Sequence, residues 1–316
     1  MSNFSKLLCR AVLRTFIKCF VIVAVVSGMN FFDFSINVAY ANSAAEHYNR
    51  GNSYYTKGDY TSSLNEYNIA LQFNPNWAEA YEGRAASYFK LKKYNKAIAD
   101  YTRAIQINPN FAKAYCGRGA SYSKIKNYNK AISDYTRAIQ LEPDFALAYS
   151  NRANVNVDIG NYDKALADGN KAIQLDPRLK SAYNNRGKAY LMLKDHVRAI
   201  ADFNKTLSID PNHVSAYHNR SLAYSAMGNT SQALDDLNKA ISLDPSYTIS
   251  YYARGCIYYD LKNYNRAMED FNKAIRLDPS DAKAYQARGS VYWVLGNKER
   301  AQKDYEKAKS LGYRAQ

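Results

Sequence analysis

Residues 112–145 read AKAYCGRGASYSKIKNYNKAISDYTRAIQLEPDF, and the spacing of their apolar side chains decides what the chain becomes. Tyr115, Tyr122, Ala131, Ile132, Tyr135, Ala138, Ile139 and Leu141 stand mostly three, four or seven apart, the rhythm of a helical stripe rather than the alternation of a strand. Asn127 and Asn129 interrupt the stripe and can cap a second helix, while Pro143 ends that helix and Asp144 is placed to cap the next. The stretch predicts two antiparallel helices of about 13 residues joined by short turns.

The same pattern recurs on both sides without insertion. Tyr81, Tyr115, Tyr149, Tyr183, Tyr217, Tyr251 and Tyr285 fall 34 residues apart, and Pro75, Pro109, Pro143, Pro177, Pro211, Pro245 and Pro279 keep the same step. Those prolines are all seven in the 316-residue chain, and 30 tyrosines against 2 tryptophans show one residue filling equivalent slots many times. Length alone would suit two globular domains, but periodicity overrides that prior. Eight repeats follow, at 44–77, 78–111, 112–145, 146–179, 180–213, 214–247, 248–281 and 282–315. A composition of 47% hydrophobic and 22% charged residues suits a folded chain rather than a disordered one.

These residues resemble the tetratricopeptide repeat family, whose 34-residue period carries a Trp/Tyr, Gly, Tyr, Ala, Phe, Pro pattern. Tyr115, Gly119, Tyr122, Ala131, Tyr135, Ala138 and Pro143 stand at its positions in the third repeat. The resemblance implies an all-α fold, a right-handed α-solenoid or superhelix of helix-turn-helix repeats, whose neighbours must stack because neither helix buries its face alone. Ala97, Ala131, Ala165, Ala199, Ala233, Ala267 and Ala301 allow close helix approach beneath the tyrosines. In the fourth repeat Asn156 and Gly169 replace large apolar residues, so a thin core and the softest joint are expected there. Gln302 and Lys309 give the last helix a polar, capping face.

Two charged columns run through every repeat. Arg50, Arg84, Arg118, Arg152, Arg186, Arg220, Arg254 and Arg288 each precede an acid by sixteen residues: Glu66, Asp100, Asp134, Asp168, Asp202, Asp236, Asp270 and Asp304. Such matched columns predict an internal ion-pair ladder that fixes register more than it adds stability. The acids could instead be answered on their own helix, as by Lys130 and Arg137 around Asp134.

Residues 1–41 read as a signal peptide: Lys6, Arg10, Arg14 and Lys18 precede an apolar run from Cys19 to Met29, and Ala39-Tyr40-Ala41 offers a cleavage signal before Asn42. The run is short of the roughly 20 residues that span a bilayer, although an uncleaved anchor is the alternative. Either way the repeats are expected outside the cytoplasm, periplasmic or secreted from a bacterium.

By resemblance, the first helix of each repeat lines a concave groove, and its sixth position faces ligand: Asn49, Gly83, Gly117, Asn151, Asn185, Asn219, Ala253 and Ala287. Asn151, Asn185 and Asn219 form three consecutive rungs whose carboxamides could bond the backbone of an extended peptide. This is similar to the asparagine ladder in the repeat domain of the O-linked N-acetylglucosamine transferase. Rungs roughly 10 Å apart would meet about every third residue of a strand advancing about 3.3 Å per residue. Tyr252, Tyr259 and Trp293 could close that groove with an aromatic pocket. The carboxylate clamp of chaperone-binding relatives is not matched, because its lysine slot holds Tyr48, Glu82, Cys116, Ser150, Asn184, His218, Tyr252 and Gln286.

The formal net charge of +15 favours anionic partners. Lys96, Lys130, Lys164, Arg198, Arg266 and Arg300, with Arg103, Arg137, Lys171, Lys205, Lys239, Lys273 and Lys307, draw a convex basic stripe that acids dilute. Envelope contact with anionic polymer or lipid is therefore the second reading; nucleic acid is not expected. His47, His196, His213 and His218 occupy unrelated slots without metal-ligand spacing, and Cys116 and Cys256 lie too many repeats apart to pair. With no nucleophile and base, phosphate loop or carboxylate dyad, the sequence predicts a non-enzymatic scaffold without cofactor that binds a protein or peptide.

Overall fold

The computed structural model describes residues 31–313, and of residues 31–42 the backbone alone. The leader over residues 1–30 lies outside the described residues, and the Ala41–Asn42 junction falls in a stretch of helical backbone. Every described element is an α-helix. None is long and apolar enough to cross a membrane.

The chain forms two compact units, Met1–Leu141 and Glu142–Gln316, with the division between the third and fourth repeats. The first holds α1 (Phe31–Thr56), α2 (Tyr60–Phe73), α3 (Ala78–Lys90), α4 (Tyr94–Ile107), α5 (Ala112–Lys124) and α6 (Tyr128–Leu141). The second holds α7 (Ala146–Asp158), α8 (Tyr162–Leu175), α9 (Lys180–Met192), α10 (His196–Ile209), α11 (Val214–Ala226) and α12 (Thr230–Leu243), then α13 (Thr248–Asp260), α14 (Tyr264–Leu277), α15 (Ala282–Val294) and α16 (Lys298–Ser310). Odd-numbered helices are the first (A) helix of each pair and even-numbered ones the second (B). Within each unit an A helix packs on its own B helix, on the B helix before it and on the neighbouring A helices, so the A helices form one continuous layer. Helix α1 has 26 residues where other A helices have 13, because its backbone stays helical from Phe31 through the start of the first repeat.

Local chemistry sets the turns. Each A-to-B turn passes through one residue in the left-handed region: Gly58, Gly160, Gly228 and Gly296 in four repeats, Lys92, Lys126, Lys194 and Lys262 in the other four. Each B-to-A turn contains the proline, and in six of them an Asn or Asp just before it accepts a hydrogen bond from the backbone N–H two residues on, as Asp210 does from Asn212 at 3.0 Å. Asp144 is not the cap of α7. The N-cap is Phe145, one residue later, without a side-chain bond, because the Asp144 carbonyl accepts from Ala146 N–H and delays the helix start.

The slot alanines Ala97, Ala131, Ala165, Ala199, Ala233, Ala267 and Ala301 are fully buried. Large B-helix rings then press onto A-helix glycines: a Cβ on Gly187 would lie 2.7 Å from Phe203, and one on Gly119 2.9 Å from Tyr135. The fourth repeat does not have the thin core expected of it. Asn156 is buried and its amide donates to Asp168 at 3.4 Å, while the stem of Arg186 covers Gly169, where a Cβ would lie 2.9 Å away. A polar bond and a neighbour's aliphatic chain replace the missing apolar volume.

Candidate peptide-binding face

The arginine column sits where the helices of a pair meet, and all eight arginines pair with the acid sixteen residues on. In seven repeats the pair is bidentate, Nε and Nη2 donating to the two carboxylate oxygens at 2.6–2.9 Å. In the first repeat Arg50 donates to Glu66 at 2.9 Å and His47 Nδ1 lies 2.7 Å from the same carboxylate. The seven aspartates are nearly inaccessible to water, so these are the desolvated pairs anticipated from the sequence.

The guanidinium has a further donor, which the sequence reading missed. Nη1 reaches back sixteen residues to the preceding repeat: Arg84 to Asn68, Arg118 to Thr102, Arg186 to Asn170, Arg220 to Asn204, Arg254 to Asn238 and Arg288 to Asn272, at 2.6–3.2 Å. Each of Arg84, Arg118, Arg152, Arg186, Arg220, Arg254 and Arg288 also lies over the ring of the tyrosine three residues before it, at 5.2–5.8 Å. The ladder therefore joins repeat to repeat as well as helix to helix. The polar column sixteen positions before each arginine from Arg84 onward was the signal for it.

On the A-helix layer the three asparagine rungs are not equivalent. Asn185 is buried, and its amide donates to the Ser150 carbonyl at 2.9 Å and lies 3.3 Å from the Ser150 hydroxyl. Asn219 donates to the Asn184 side-chain oxygen at 3.3 Å. Asn151 is half-buried on α7. The donors of Asn185 and Asn219 thus tie neighbouring A helices together. In the first unit the equivalent position is filled from within: the hydroxyl end of Tyr67 lies over Gly83, leaving no room for a Cβ.

The aromatic trio does not close one pocket. Tyr252 packs on Phe271 at 6.0 Å between centroids, and Tyr259 meets Tyr264 edge-on at 5.7 Å. Trp293 is 55% exposed, with the Lys298 ammonium 5.6 Å from its ring centroid. Tyr252 lines a cavity of about 340 Å³ between α11 and α13 whose walls include His218, Leu222, Ile249, Cys256 and Asp260. Tyr252 and Tyr259 lie two turns apart on α13, and Trp293 stands one repeat on, on α15.

His218 lies at the floor of that cavity, buried, with Nδ1 3.1 Å from the Ser250 hydroxyl; burial pulls its pKa down to about 4. His213 caps α11, accepting from Ala216 N–H. Both stand at seams between helices. Neither Cys116 nor Cys256 forms a disulfide, and burial pushes the Cys256 thiol up to about 11. Among the described residues no group of three or more His, Cys, Asp or Glu side chains is placed to hold a metal ion.

Family models fit this arrangement of helix pairs. The tetratricopeptide repeat is matched at residues 78–111, 112–145 and 181–213 by one model and at 214–247 and 282–311 by another; a TPR repeat model matches 51–92, 153–194 and 255–296. The chain belongs to the tetratricopeptide repeat family. No curated protein matches it. Among solved structures it is similar to a chain of the APC/C hetero-tetramer Cut9-Hcn1, with a TM-score of 0.71 and 16% identity over 83% of this chain, spanning 52% of that one. It is also similar to a tetratricopeptide repeat protein from Parabacteroides merdae ATCC 43184, with a TM-score of 0.54 and 24% identity over 86% of this chain and 94% of that one. Both likenesses are likenesses of fold.

Tetratricopeptide repeats mediate protein–protein interaction, and the charged B-helix face of this chain is largely self-engaged. Lys96, Lys130, Arg198, Arg266 and Arg300 each cover a tyrosine of the preceding A helix, at 4.5–5.7 Å from Tyr88, Tyr122, Tyr190, Tyr258 and Tyr292. The aromatic rings beneath this stripe are contributed by the partner helix.

Proposed function

We propose that this chain is an exported, non-enzymatic scaffold that holds an extended segment of a partner protein against the A-helix groove of residues 142–316. The observation that carries the reading is the cavity between α11 and α13: a mostly apolar concavity with a few convergent polar groups is the usual form of a binding site. Asn151, Asn185 and Asn219 lie up the same layer, where their side-chain oxygens would accept from ligand backbone N–H groups. Tyr252 supplies aromatic wall, and Tyr259 and Trp293 extend the face beyond it. The alternative, docking of anionic polymer or lipid on the basic stripe, is weakened by the stacking of its cations on tyrosines.

Site-directed photo-crosslinking separates the two. With a benzophenone amino acid at Leu222 or Ile249 the groove reading expects partner adducts that persist at about 0.5 M NaCl, where exposed charge attraction is screened. Adducts formed only from Lys205 or Lys239 on the B helices, and lost with salt, would overturn it.

A further inference from the structure

The cavity between α11 and α13 exists because one slot changes. In B helices of the first unit the slot holds Tyr67, Tyr101 and Tyr135, and the hydroxyl ends of the first two fill the space over the next A helix. In α12 the slot holds Leu237, which lines the cavity together with Ala253 of the next repeat. Loss of the ring and its hydroxyl leaves the volume open, and Leu222 and Ile249 stand 39% and 47% exposed at its mouth. Cys256 is no reactive centre there, since its thiol stays protonated near neutral pH.

One end of the cavity carries Asp260. In the fourth repeat the equivalent acid, Asp158, is answered by Lys188 thirty residues on, at 3.5 Å. Thirty residues after Asp260 stands Ser290, whose hydroxyl bonds the Gln286 carbonyl instead. Among the described residues, Asp260 is therefore an exposed carboxylate without an ion-pair partner, in a chain with an excess of fifteen positive charges. Along α13, Asp260 is one helical turn beyond Cys256, about 6 Å, or about two residues of an extended ligand.

We propose that this cavity is the anchor pocket of the groove: it takes an aliphatic or aromatic side chain of the partner segment, with a lysine or arginine two residues away held by Asp260. The inference rests on the groove reading above and adds the chemistry of what the groove selects. Burial of the anchor supplies affinity, and the cation sets direction along the face.

The test is fluorescence anisotropy of labelled Gly/Ser octapeptides carrying Leu-Ser-Arg, Leu-Ser-Glu or Ser-Ser-Arg at their centre, titrated with the full chain. Replacing Leu by Ser is expected to weaken binding about thirtyfold, and replacing Arg by Glu about fivefold. Asp260→Asn should bring the Arg and Glu peptides to within about twofold of one another. Leu237→Phe should remove the Leu preference by filling the cavity; Phe271 beside Ala287 already forms that pairing in this chain, so the variant should keep its helical circular dichroism. Equal binding of the Arg and Glu peptides to the native chain, or an unchanged Leu preference in Leu237→Phe, would overturn the proposal. No binding of any peptide, with crosslinks still formed from Leu222 and Ile249, would overturn the pocket chemistry and leave the groove reading standing. Crosslinks confined to the B helices would remove both.

Discussion

Arg220 holds four partners at once: the Asp236 carboxylate, the Asn204 side-chain oxygen in the preceding repeat and the faces of Tyr217 and Tyr224. Its removal strands a buried carboxylate, which costs far more than the intact pair contributes. Arg220→Met is expected to destabilise by about 3 kcal/mol, and Arg220→Met with Asp236→Leu by much less. Urea midpoints followed by helical circular dichroism measure the difference. A different single residue gives the chain a pH dependence. Burial keeps His218 neutral down to about pH 4, whereas an unfolded histidine takes up its proton near 6.5. Between those values the unfolded state binds more protons, so stability falls as pH drops through that window, by about 3 kcal/mol at most. His218→Gln should flatten the fall between pH 6.5 and 4 in thermal melts. An unchanged slope would assign the effect to other groups.

At the scale of the elements, the A-to-B turns divide evenly between two residue types. Four A-to-B turns use glycine in the left-handed region and four hold a lysine there at φ of 58–61°, at a cost of about 1 kcal/mol each relative to glycine. Lys194→Gly should raise the unfolding midpoint slightly, strain relief being partly offset by a more flexible unfolded chain, and Gly228→Ala should lower stability by about 1 kcal/mol. Matched thermal melts compare the two; a rise for both would contradict the turn assignment. The helices themselves were legible from the sequence, because a 34-residue step and a three-to-four spacing are local properties that Tyr115, Tyr122 and Tyr135 display directly. The arginine–acid ladder was legible for the same reason, as two columns at constant offset. The link from Arg220 back to Asn204 was not, since that column reads as an ordinary polar helix face until the repeats are stacked. Likewise Asn185 reads as a free rung, and only the neighbouring helix supplies Ser150 to engage its amide. The cavity depends on how far Leu237 falls short of a tyrosine, a difference in three-dimensional filling that an apolar-for-apolar change conceals.

At the scale of the whole molecule, each repeat leans on its neighbours, so the fold is a sum of similar interfaces and function resides in where the repeats differ. In the first unit the A-helix face is filled from within at Gly83 by Tyr67. In the second, α11 and α13 leave a cavity and an unanswered carboxylate. That contrast is why the groove is assigned to residues 142–316. Amide hydrogen exchange on the full chain, with and without a crosslinked partner segment, tests the assignment most directly. Slowed exchange is expected in α9, α11 and α13, with α10, α12 and α14 unchanged; protection confined to those B helices, or no protection in the second unit, would contradict the assignment.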